Sequence, residues 1–104
     1  MTTKNKKSAT IKYLEGLNGG PLTFAQLILA IRESEGKSQK DFAEKLGVSK
    51  QYLCDLEKGR RTATIEKAAV FADSLGYPAA GFVKMVIKDE IRMAGLHLEI
   101  QISA

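Results

Sequence analysis

Ser38-Gln39-Lys40-Asp41-Phe42-Ala43-Glu44-Lys45-Leu46-Gly47-Val48-Ser49-Lys50-Gln51-Tyr52-Leu53-Cys54-Asp55-Leu56-Glu57-Lys58-Gly59-Arg60-Arg61 reads as two short helices joined by a tight turn. Ser38 is an N-cap: its hydroxyl can accept from an otherwise unpaired amide of the first turn, and Asp41 stands three residues on. Phe42, Ala43 and Leu46 fall on one helical face. Gly47 follows, where a residue without a Cβ can take the left-handed conformation that ends a helix. Ser49 offers a second cap, Leu53 and Leu56 a second buried stripe, and Gly59 a second stop. The second helix is therefore about two turns long and begins close behind the first, which suits a crossing near 90–120°. Small Ala43 lies where the axes must approach, and Val48 plugs the corner between them.

The exposed start of the second helix carries Lys50, Gln51 and Tyr52, with Asp55 one turn along. Lys and Gln have the reach and the donors to read purine edges or hold phosphates. Tyr52 reads either as core or as a contact to a thymine methyl or sugar, and the outward reading is preferred because Leu53 and Leu56 already account for the inward face. These are the parts of a DNA-reading helix-turn-helix. The segment resembles the Cro and phage-repressor (XRE-type) helix-turn-helix family, through Ser38-Gln39, Phe42-Ala43, Leu46-Gly47-Val48-Ser49 and Leu56-Glu57-Lys58-Gly59-Arg60. The resemblance covers roughly residues 23–76. It implies a lambda-repressor-like helical fold in which Gln39 contacts a phosphate and buttresses the reading helix. It also implies base-edge contacts from Lys50, Gln51 and Asp55, and phosphate contacts around Lys58. Ser49, Arg60 and Arg61 complete the expected phosphate-facing set. Tyr52 is bulky where the family often has Thr or Ser, which bears on the preferred base rather than on the docking mode.

The 104 residues fit one small domain, and a net charge of +4 with a pI near 9.3 suits a polyanionic partner without proving one. The distribution is more telling. Residues 1–12 hold four Lys and no acid, and residues 36–61 hold seven basic and four acidic groups, net +3. Residues 62–104 hold four basic and five acidic groups, net −1. That asymmetry favours a nucleic-acid face at one end of the molecule and a protein face at the other. One cysteine, Cys54, permits no intrachain disulfide and suits a reducing compartment. No apolar stretch approaches the ~20 residues of a membrane span, and the N-terminal lysines precede no apolar run, so a cytoplasmic location is expected.

Around the central motif the chain divides into three parts. Residues 1–22 form a basic arm followed by a short helix with apolar residues at 11, 14 and 17, broken by Asn18-Gly19-Gly20-Pro21. Residues 23–76 form the helix-turn-helix module. Its first long helix is capped by Thr23, buries Leu27, Ile28 and Ile31, and exposes Arg32, Glu33 and Glu35 to solvent. Its last is capped by Thr64 and has apolar positions 65, 68, 69, 72 and 75. Residues 77–104 hold a helix opened by Pro78, apolar around much of its girth, and then a strand-like alternation of Leu96, Leu98, Ile100 and Ile102 with polar residues. A lone strand leaves its backbone groups unpaired, so the expectation is antiparallel pairing with a second chain. Phe82, Val86, Leu96, Leu98, Ile100 and Ile102 are the expected dimer contacts.

The fold class expected is thus mainly α: a compact helical bundle with a C-terminal β-strand pairing across a dimer. Single His97 and single Cys54 cannot assemble a metal cluster, and no phosphate-cradling glycine loop or nucleophile–base pair is present, so no cofactor, no metal and no enzymatic activity is expected. Glu57 is expected to pair with nearby Lys58 or the Arg60-Arg61 pair. Double-stranded DNA is the expected partner, and a dimeric repressor on a pseudo-palindromic operator the expected function. The alternative is an antitoxin that neutralises a toxin protein and represses its own operon, with the apolar C-terminal segment as the toxin-binding surface.

Overall fold

The computed structural model describes residues 11–14, 16 and 22–95. Five helices follow in order: α1 (Phe24–Ser34), α2 (Gln39–Leu46), α3 (Lys50–Glu57), α4 (Ile65–Leu75) and α5 (Ala79–Met93). Local chemistry sets almost every boundary. The Thr23 hydroxyl accepts from the Gln26 amide at 3.1 Å while the Gln26 side chain accepts from the Thr23 amide at 3.0 Å, a reciprocal capping box. Ser38, Ser49 and Thr64 cap α2, α3 and α4 through the amides of Asp41, Tyr52 and Lys67. At the end of α2, Gly47 turns at φ 75°, and the Val48 amide reaches back to the Ala43 carbonyl at 3.0 Å. Pro78 stands just before α5 as its N-cap rather than as its first helical residue.

The apolar faces meet in one core. Leu27, Ile28 and Ile31 of α1, Phe42 and Leu46 of α2, Leu53 and Leu56 of α3, and Phe71 and Leu75 of α4 are all buried. Ala43, also buried, lets α2 and α3 approach, and Val48 packs on the corner from outside. On α4 the structure corrects one expected position. Ile65 is 46% exposed, and Phe71 takes the inward place, because Ala68, Phe71, Ala72 and Leu75 form the stripe that faces α2 and α5.

Helix α5 is the second correction. Phe82 and Val86, expected at a dimer interface, are 0% and 1% exposed within the single chain. The reason is packing: α5 lies against α4 along its length and also contacts α1. Phe82 is the hub of an aromatic cluster, edge-to-face with Phe24 at 5.6 Å between centroids and tilted against Tyr77 at 5.3 Å. Residues 11–14 are helical, and Ile11 and Leu14 pack on the same core. No strand occurs among the described residues, and the expected strand at Leu96, Leu98, Ile100 and Ile102 lies outside them. Among the described residues no helix is long and apolar enough to cross a membrane, and no group of His, Cys, Asp or Glu is placed to hold a metal ion.

One buried charge ties the ends of this arrangement together. Asp89 on α5 is 7% exposed and accepts from the Phe24 amide at 2.8 Å, so α5 caps the start of α1 across the core. A carboxylate there satisfies an amide that the helix leaves open and sits at the favourable end of its dipole. Arg92, one turn on, donates to the other carboxylate oxygen. Replacing Asp89 by Ala leaves the Phe24 amide without its acceptor and should destabilise the fold by about 1–3 kcal/mol in urea unfolding. Asp89→Asn, which keeps an acceptor oxygen, should lose less.

Candidate nucleic-acid interface

The eight residues of α3 give a rod about 12 Å long at 1.5 Å per residue. Leu53 and Leu56 anchor its inward face at 0% and 1% exposure. Its N-terminal tip is free of the core: Ser49, Lys50 and Gln51 are exposed. Asp55 is half-buried and already engaged, accepting from Gln51 Nε2 at 2.9 Å and lying 3.8 Å from Arg60. Beyond the other end, Lys58, Arg60 and Arg61 are exposed in the segment that leads to α4. Cationic groups therefore flank both ends of the rod, with neutral and acidic polar groups between them. Cys54 is a half-buried free thiol on the same helix.

The C-terminal end of α3 is clamped from behind. Glu57, with a side chain only 4% exposed, receives a fork from Arg32 of α1: Nε to Oε2 at 2.7 Å and Nη2 to Oε1 at 3.2 Å. Gln39, the first residue of α2, donates Nε2 to Glu57 Oε1 at 2.9 Å. Arg32 spends a further nitrogen on the Lys37 carbonyl at 3.0 Å. Three helices thus share one carboxylate. The Glu57 hydrogen bond raises the Arg32 pKa above its ordinary value, although burial acts in the opposite direction.

This arrangement changes two sequence assignments. Glu57 pairs with Arg32, which lies 25 positions earlier in the chain, and not with Lys58 or the Arg60-Arg61 pair. Arg32, expected to be solvated, is half-buried in the clamp. Gln39 braces α3 by its bond to Glu57. Neighbours in sequence could suggest the wrong partner for Glu57, because the right one becomes adjacent only once α1 crosses α3.

Tyr52 is the third departure. It is 8% exposed, so its ring belongs to the core and not to the outward base-reading set. The ring meets Phe71 of α4 edge-to-face at 6.3 Å, and the Arg61 guanidinium lies over it at 3.9 Å from the centroid. Burial pushes the phenol pKa up, with Arg61 acting in the other direction. Phe71 is absent from the stripe expected on α4, and with it goes the signal that position 52 faces inward.

With the geometry established, known proteins give the same classification. The helix-turn-helix family profile matches residues 28–82. The chain belongs to that family, in its XRE-type branch. It is similar to the immunity repressor protein of Bacillus phage phi105, 32% identical over 71 residues that make up 66% of this chain and 49% of the repressor. The chain thus spans about half the length of that relative. It is also similar in structure to the wild-type restriction-modification controller protein C.Esp1396I, with a TM-score of 0.51 and 26% identity over 66% of this chain and 90% of the other.

Glu57→Ala should strand the Arg32 guanidinium and free Gln39, costing about 3 kcal/mol of stability by analogy with broken buried ion pairs. The loss should be read as a lowered thermal midpoint. Glu57→Gln, which keeps the acceptor for one donor, should recover part of it.

Proposed function

We propose that this protein is a sequence-specific DNA-binding transcription regulator, acting as a repressor and binding a pseudo-palindromic operator as a dimer. The observation that carries the reading is α3 itself: its inward face and its far end are locked, while Lys50 and Gln51 stand exposed at its N-terminal tip. That is the part of a helix-turn-helix that enters the major groove. In this reading Lys50 and Gln51 meet base edges, and Asp55 holds the Gln51 amide in place besides facing the groove. Ser49, Lys58, Arg60 and Arg61 hold phosphates on the flanking strands. Gln39 reaches a phosphate while keeping its bond to Glu57. Repression by occupying a promoter is favoured over toxin neutralisation because one similar protein is an immunity repressor.

Dimerisation rests on the alternation of Leu96, Leu98, Ile100 and Ile102, which suits an antiparallel pairing about a twofold axis. Two reading helices would then lie about 34 Å apart, one turn of duplex. Phe82 and Val86 have no place in that interface. A cytoplasmic site of action follows from the DNA partner.

Lys50→Ala and Gln51→Ala should each lose about 1–3 kcal/mol on the selected operator and relax preference at the contacted base pair. Competition binding against scrambled duplex measures this, and undiminished preference in both variants would dismiss the base-contact assignment. Light scattering at tens of micromolar (~50 µM) should give twice the chain mass, in keeping with the dimeric binding of helix-turn-helix proteins.

A further inference from the structure

Among the described residues, the Tyr52 hydroxyl is the one buried side-chain polar atom with no hydrogen-bond partner. An unpaired buried hydroxyl carries a desolvation cost, so whatever this side chain contributes comes from its ring. Two cations sit over that ring. The Arg61 guanidinium carbon is 3.9 Å from the centroid, and the Lys67 ammonium is 5.1 Å away. Both distances lie within the range where an aromatic face attracts a cation. Phe71 meets the ring edge-to-face at 6.3 Å, which fixes its plane against α4. Arg61 and Lys67 come from different places, the segment after α3 and the first turn of α4, and the tyrosine brings them together.

Neither Arg61 nor Lys67 is paired with a described carboxylate. Both side chains remain exposed. The missing component is an anion. Tyr52 belongs to the first turn of the reading helix, so the paired cations stand beside the element that enters the groove, where backbone phosphates run.

We propose that Arg61 and Lys67 form a phosphate clamp on the DNA backbone, seated on the ring of Tyr52. Lys67 is a phosphate-binding residue, and Tyr52 is a positioning residue that touches no DNA and acts through both cations. The clamp rests on the DNA-binding reading above. It accounts for a large aromatic side chain at position 52: the ring face is used and the hydroxyl is not. Phenylalanine should therefore serve there, and an aliphatic side chain should not.

The test is a salt titration of the full chain on a mixed-sequence DNA duplex, which isolates backbone binding from base reading. Arg61→Ala and Lys67→Ala should each weaken binding several-fold at low salt and make the slope of log affinity against log salt less negative by about 1. Tyr52→Phe should match the wild type in both. Tyr52→Leu should weaken binding at least as much as Arg61→Ala, and adding it to the Arg61→Ala/Lys67→Ala double variant should cost little more than that double variant alone. Lys88→Ala, removing the same charge from an exposed position on α5, should leave the slope unchanged. A wild-type slope in Lys67→Ala overturns the clamp, and so does an equal loss in Lys88→Ala. Losses from Tyr52→Leu and the Arg61→Ala/Lys67→Ala double variant that simply multiply remove Tyr52 from it. Lys67 is on the surface, so its variant decides the matter even where Tyr52→Leu melts. Failure of the wild type to bind any duplex at low salt would bring down the DNA-binding reading itself, a result distinct from binding that ignores these substitutions.

Discussion

An eight-residue helix does not hold itself together in water, since isolated helices shorter than about 12–15 residues are marginal even with favourable composition. Helix α3 is such a segment, and the rest of the molecule is arranged to keep it helical and in one orientation. Leu53 and Leu56 fasten its inner face, Ala43 lets α2 cross close to it, and Glu57 fastens its far end to α1 and α2 at once. A buried ion pair contributes little net stability, because desolvating the charges offsets most of their attraction. Its contribution here is orientation. A bidentate fork plus an amide donor leaves Glu57 one arrangement, and so leaves α3 one arrangement. All of these restraints act on the inner face or the C-terminal end, so the N-terminal tip is positioned without being covered.

The same network also shapes the charge of the surface. Glu57 is neutralised inside the clamp and Asp55 is engaged by Gln51 and Arg60, so two of the acids in the basic segment are locally compensated. At the two ends of α3 itself the exposed charges are then Lys50, Lys58, Arg60 and Arg61, all cationic. Long-range attraction of a polyanion depends on this surface distribution more than on the formal total of +4. The ion pair that orients the helix thus also keeps an acid away from the face a phosphate would approach.

What could be read in the sequence was the local part of the structure. Thr23, Ser38, Ser49 and Thr64 cap helices, and Gly47 and Gly76 end them, because each acts on amides and carbonyls within a few residues of itself. The inward stripes of α1 and α2, and the places of Leu53 and Leu56 on α3, follow from spacing alone. The misreadings all involve partners distant in the chain. Arg32 meets Glu57 on another helix, and Tyr52 faces inward because Phe71 arrives from α4; the bond from the Phe24 amide to Asp89, 65 positions away, has no counterpart in the sequence reading at all. On α4 the stripe could be phased through Ile65 or through Phe71, and only the packing of α5 selects Phe71. Exposed Lys50 and Gln51 are legible for a simpler reason: a polar helix start after a capping serine has nowhere inward to go.

Helix α5 shows how a strong apolar signal can be given the wrong address. Its apolar girth leaves two readings, a helix wedged centrally in the core or one that partly meets a partner chain, and assigning Phe82 and Val86 to a dimer follows the second. The structure instead inserts it as a wall of the core, with Phe82 between Phe24 and Tyr77 and Val86 buried beside them. A dimer built through those two side chains would have to open that core and give up burial worth about 1.5–3 kcal/mol for each large side chain. Self-association that leaves the fold intact must therefore use surface that α5 does not already spend. Because Asp89 ties α5 to the start of α1, and Arg32 ties α1 to α3, that surface would be held in a fixed relation to the reading helix. A fixed relation is what spacing two helices along a duplex requires. The buried polar contacts that sequence spacing could not reveal are, in this reading, the ones that would transmit the geometry of a dimer to the DNA.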